Sequence, residues 1–159
     1  MTENGFDDLL IIPGGIPLIE IKDKMSMEKG YWESDNFKKG GSFAGAVSKN
    51  VDKTRIILIH KTQELDNRPE LEVTLNTKGE DIKFDQTLTL EGYIIFQRKY
   101  FADTGKHLDE QRYVWLATTS GARLVISYWL IGDNRLDVGV DGINYQGSNL
   151  GVRFARSFF

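Results

Sequence analysis

The 159-residue chain is 40% apolar and 27% charged, which suits one domain with a sizeable core and excludes disorder by composition. Twenty basic against twenty-three acidic side chains give a net charge of -3, excluding the strongly basic footprint of a duplex-DNA binder. There is no cysteine, so disulfides, thiolate chemistry and cysteine-ligated zinc are excluded, and His60 and His107 are the only imidazoles.

The opening MTENGFDDLLIIPGG carries acids where a signal peptide carries bases, and no stretch approaches the roughly 20 apolar residues that span a bilayer. Cytoplasmic synthesis without a signal peptide, and no membrane partner, are therefore expected. Residues 1–21 hold LLII, then Pro13-Gly14-Gly15-Ile16-Pro17, then LIEI. The segment is apolar enough to demand burial, yet its Pro/Gly punctuation prevents an ordinary central strand. It reads as an extended arm ahead of a single β-rich domain at 22–159, with a kinked edge strand as the competing reading.

Lys24 to Phe37 has room for a short helix, interrupted by Gly30. KKGGSFAGAVSKN, Lys38 to Asn50, lacks the lysine and hydroxyl of a phosphate loop and the Gly-x-Ser-x-Gly of a nucleophile elbow. It predicts a glycine loop entering a strand at Ser42 to Val47. TRIILIHK, Thr54 to Lys61, is β-branched and predicts a buried strand.

From Leu71 to Leu90, alternating apolar residues on either side of Gly79 predict a hairpin. GYIIFQRKYF follows, its continuous apolar start predicting a strand covered on both faces. YVWLATT and ARLVISYWLI flank Ser120-Gly121, RLDVGV follows Gly132-Asp133-Asn134, and Asp141-Gly142 before INY predicts a type I′ turn. The whole predicts an all-β fold: an antiparallel sandwich or closed barrel of about eight to eleven short strands, with few or no helices and an N-terminal arm.

No residue set assembles a catalytic, cofactor or metal site. His60 ends a strand, His107 lies in a polar loop, and Asp133, Asp137 and Asp141 miss the ligand order of a calcium loop. No enzymatic activity, cofactor or metal is predicted. Every lysine lies at or before Lys106, whereas beyond Arg112 the bases are arginines only: Arg123, Arg135, Arg153 and Arg156. Lysine is depleted at protein interfaces while arginine and aromatics are enriched, so that end suits contact.

The resulting reading is a non-enzymatic structural subunit of a larger assembly, such as a virus or bacteriophage particle. Its partners would be copies of itself or other assembly proteins. The contacts are assigned to Leu9, Leu10, Ile11 and Ile12 at one end and Arg153, Phe154, Arg156, Phe158 and Phe159 at the other. The alternative is a single-stranded nucleic-acid-binding β-barrel using Arg55, Lys61, Arg98, Lys99, Tyr100 and Phe101, whose rings would stack bases while the cations track phosphates.

Overall fold

The computed structural model describes residues 8–24, 31–33, 46–48, 51–61 and 74–158. In chain order these form strand β1 (Asp8–Ile12), helix α1 (Leu18–Lys24), and strands β2 (Tyr31–Glu33), β3 (Ala46–Ser48), β4 (Arg55–Ile59) and β5 (Thr74–Leu75). Helix α2 (Leu90–Thr104) and strands β6 (Tyr113–Ser120), β7 (Arg123–Leu130), β8 (Arg135–Gly142), β9 (Leu150–Val152) and β10 (Ala155–Phe158) complete the order. The fold is mostly β, in two largely antiparallel sheets that do not close into a barrel. A three-stranded sheet has the order β1-β4-β10, and a seven-stranded sheet runs β2-β8-β7-β6-β9-β5, with β3 also on β6.

The meander β6-β7-β8 follows the predicted strands and turns, because period-two alternation there separates two packed faces. Val114, Leu116, Val125, Trp129, Leu136 and Val138 face the main core, whereas Trp115, Leu124, Leu150 and Val152 form a second cluster with Ile82 on the opposite side. Trp115 donates its indole N–H to the Thr77 carbonyl at 2.8 Å, which satisfies the polar edge of a fully buried ring.

GYIIFQRKYF is helical, not a strand. Thr89 caps α2 by accepting from the Gly92 amide, and Gly105 closes it in the left-handed conformation at φ 71°. Its first turns are buried nearly all round, because α2 lies against both sheets. That enclosure removes the amphipathic stripe that separates helix from buried strand in a sequence.

The predicted hairpin around Gly79 is also absent: Gly79–Asp81 and Phe84–Gln86 are single 3-10 turns, and only Thr74 and Leu75 of the upstream run form a described strand. The Glu80 amide donates to the Ile143 carbonyl at 2.8 Å, so this segment is tied to the stretch after β8 and not to an adjacent hairpin strand. Nor does the chain reverse at Asp141-Gly142, since β8 runs through both residues. A helix is present at Leu18–Lys24, upstream of the Lys24 to Phe37 stretch, within which Tyr31–Glu33 is β2. The first part of the Ser42 to Val47 strand and Leu71 to Val73 lie outside the described residues.

Gly92 sets the spacing between α2 and the smaller sheet. A Cβ there would meet Ile12 Cδ1 at 2.6 Å and Leu88 Cδ2 at 3.3 Å. Overpacking costs about 1 to 3 kcal/mol, offset by the roughly 1 kcal/mol that alanine gains over glycine in a helix. Gly92→Ala is therefore expected to lower stability by about 1 kcal/mol, and Ile12→Val, which removes Cδ1, to abolish that loss in the double variant. Urea unfolding of the four proteins measures the coupling.

Candidate functional site

β4 lies at the centre of the smaller sheet, with β1 and β10 antiparallel on its two sides. The register aligns Leu9 with Leu58 and Arg156, and Ile11 with Ile56 and Phe158. Strand parity puts these six residues on the outer face, while Leu10, Ile12, Ile57 and Ile59 enter the core. Leu9 is 47% exposed, Ile11 58%, Ile56 43% and Phe158 47%, so an aliphatic and aromatic strip stands open to solvent. Large contiguous apolar patches are uncommon on the surfaces of monomeric proteins.

The contact residues predicted from the two ends of the sequence are thus divided by the pleat. Leu9, Ile11, Arg156 and Phe158 share the outer face. Leu10 and Ile12 are buried, because a strand turns alternate side chains inward. Phe154 is half-buried and bridges Thr87, and Phe159 lies outside the described residues. Ile56 and Leu58, absent from the predicted set, complete the face. RIILI is aliphatic at four consecutive positions, so the sequence reads as a strand buried on both sides and gives no signal of which face is open.

Arg153 does not anchor a partner surface; it is 3% exposed and pinned inside the protein. Its Nε and Nη2 donate to the two oxygens of Asp109 at 2.7 and 2.6 Å, and its guanidinium stands 5.7 Å from the Phe96 ring centre. Asp109 itself has φ 53°, a left-handed conformation that aspartate tolerates. Tyr93 donates its hydroxyl to Asp109 at 2.9 Å and accepts from Gln97 at 3.0 Å. Burial, and then the Asp109 charge, push the Tyr93 phenol well above its ordinary pKa, so it stays a donor.

A second buried polar cluster sits where α2 begins. Ser48 on β3 donates to Glu91 at 2.8 Å and lies 2.7 Å from the Thr118 hydroxyl, which in turn accepts from the Leu90 amide. Arg55, at the start of β4, donates from Nη2 to Thr89 at 3.2 Å. Burial pulls the Arg55 guanidinium below its ordinary pKa, while the Glu91 charge opposes that shift.

The alternative nucleic-acid set does not line a groove. Arg55 and Tyr100 are buried, and Arg98, Lys99, Tyr100 and Phe101 fan around a helix. Lys61 and Lys99 both bind Asp103, at 2.7 and 2.8 Å, and Lys99 also binds Asp8 at 2.9 Å. The two ammonium groups hold the Asp103 carboxyl down to about 2.

Phe101 stacks on His107 at 4.5 Å, and His107 on the buried Trp129 at 3.4 Å. Burial lowers the His107 pKa. Asp133 and Asp137 both bind Arg135, while Asp141 accepts from the Gly142 amide. The three aspartates therefore do not converge on one point. Comparison with family models, with curated proteins and with solved structures found no match for this chain.

Two outcomes follow from this geometry. Asp109→Asn leaves the buried Arg153 without its counter-charge and should lower stability by about 3 to 5 kcal/mol, with Arg153→Met restoring part of the loss in the double variant, as read by urea unfolding. The unfolded imidazole, titrating at its ordinary 6.5, binds protons that the folded His107 resists. Stability should accordingly fall as pH drops below that value through the folded pKa, and His107→Phe should flatten this part of the profile. NMR titration of the His107 ring checks the sign independently.

Proposed function

We propose that this protein is a non-enzymatic assembly subunit that docks through the outer face of the β1-β4-β10 sheet onto a second copy of itself. The observation that carries the reading is the convergence of Leu9, Ile11, Ile56, Leu58 and Phe158 on one exposed sheet face, from three separated parts of the sequence. Sheet faces of aliphatic side chains stack on like faces at about 10 Å, burying both. A two-fold pairing uses the same patch on each copy, and the five apolar positions need no partner of opposite charge. Arg156 stands at the edge of the strip, where a charge adds specificity at little desolvation cost. The setting of a larger particle, viral or bacteriophage, rests on sequence features alone: the apolar N-terminal segment and the lysine-free, arginine- and aromatic-bearing C-terminal third.

Light scattering coupled to size exclusion, run over a wide concentration range, tests the reading. The wild-type protein should show a mass rising from monomer towards dimer or larger. Ile11→Lys with Ile56→Lys should remain monomeric at every concentration, with an unchanged circular dichroism spectrum and melting temperature. A wild-type protein that stays monomeric throughout, or a double variant that associates as well as wild type, would sink the proposal.

A further inference from the structure

Residue 55 faces inward where its neighbour Ile56 faces out, so Arg55 belongs to a different site from the exposed strip. It is 6% exposed, and its Nε is buried without a hydrogen-bond partner among the described residues. In a guanidinium, Nε and one terminal nitrogen form a fork matched to two oxygens of a carboxylate or phosphate. Among the described residues the donor Nη2 holds the Thr89 hydroxyl at 3.2 Å, and that oxygen also receives the Gly92 amide as the cap of α2. The fork is thus half-occupied and points at the start of a 15-residue helix.

The charges around it leave room for an anion. Glu91 is not ion-paired with Arg55; its Oε2 is turned to Ser48. Arg55 and Glu91 cancel, and the helix N-terminus, whose Leu90 and Gly92 amides already donate to Thr118 and Thr89, contributes the field of about half a positive charge. A buried donor with no acceptor is costly, the more so when the group is charged, and such a donor usually has a water, ion or ligand as its partner. Helix N-termini and arginine forks both favour the same kind of group.

We propose that Arg55 and the N-terminus of α2 form a binding site for a small oxyanion, the carboxylate or phosphate group of a ligand, seated on the Nε edge of Arg55. Thr89 fixes one side of the guanidinium, and the Ser48–Thr118 pair draws the Glu91 carboxylate aside. An occupied site ties β4 to α2 through the anion.

The Nε–H resonance of Arg55 reports directly on this edge in the unaltered protein. It should be followed by NMR against inorganic phosphate and, separately, acetate, with sodium chloride holding ionic strength constant. A saturable shift with at least one of the two anions, missing from the chloride control and accompanied by a rise in melting temperature, is the expected result. Response to both assigns a general oxyanion seat, and response to one names the source. Glu91→Gln, which removes the adjacent like charge, should tighten binding several-fold. No saturable shift, or a Glu91→Gln protein that binds no better, overturns the proposal and leaves Nε to solvent. Neither result depends on self-association through the outer face.

Discussion

The bidentate pair between Arg153 and Asp109 holds together parts of the chain that local structure could not. Arg153 lies between β9 and β10, and Asp109 follows α2, so the pair joins the last strands to the loop that leads from helix into meander. Removing two charges from water costs several kcal/mol per ion, and the cost is met only when the remaining lone pairs and protons are satisfied. Here Tyr93 supplies a further donor to Asp109, the Asp109 carbonyl accepts from the Trp129 amide at 2.9 Å, and Gln97 bonds both the N–H and the C=O of Leu108. Helix, loop, β7 and the segment before β10 are locked in one arrangement. Arg153 immediately precedes β10, so the lock fixes the point from which β10 enters its pairing with β4.

Polar groups carry much of the specificity in a core that is otherwise aliphatic and aromatic. At one end of α2 the Ser48, Glu91 and Thr118 side chains bind the helix to β3 and β6; farther along, Tyr93 and Gln97 bind it to the loop before β6. A helix buried on most sides has no single face to orient it by hydrophobicity, so hydrogen bonds at defined positions fix its rotation. Gly92 supplies the complementary steric constraint by permitting close approach to β1.

The parts of the fold legible in the sequence are those where one physical signal dominates. Alternation in RLDVGV identifies β8, the apolar and aromatic run RLVISYWL between two turn signals identifies β7, and RIILI identifies β4 through its β-branched run. The helix at Leu90–Thr104 was hidden because the enclosed YIIF of its first turns reads as a continuous apolar strand with no single apolar stripe, and the capping role of Thr89 is not distinctive inside the alternating TLTL. The outer face was half legible: the ends of the chain were flagged by apolar content, yet which of Leu9, Leu10, Ile11 and Ile12 faced outward depended on pairing with β4. Arg153 was misassigned because nothing local to GVRFA reveals Asp109, 44 residues away in sequence.

The order β1-β4-β10 also has a temporal meaning. During synthesis β1 and β4 emerge early and can pair at once, but the third strand becomes available only after residue 158 has left the ribosome. Until then β4 has an open edge, and its apolar side chains lack their neighbours from β10. Contacts of such long sequence separation form more slowly than local ones, and β10 is the last described strand to be synthesised. A nascent chain therefore cannot present the finished three-stranded face until residue 158 has been added.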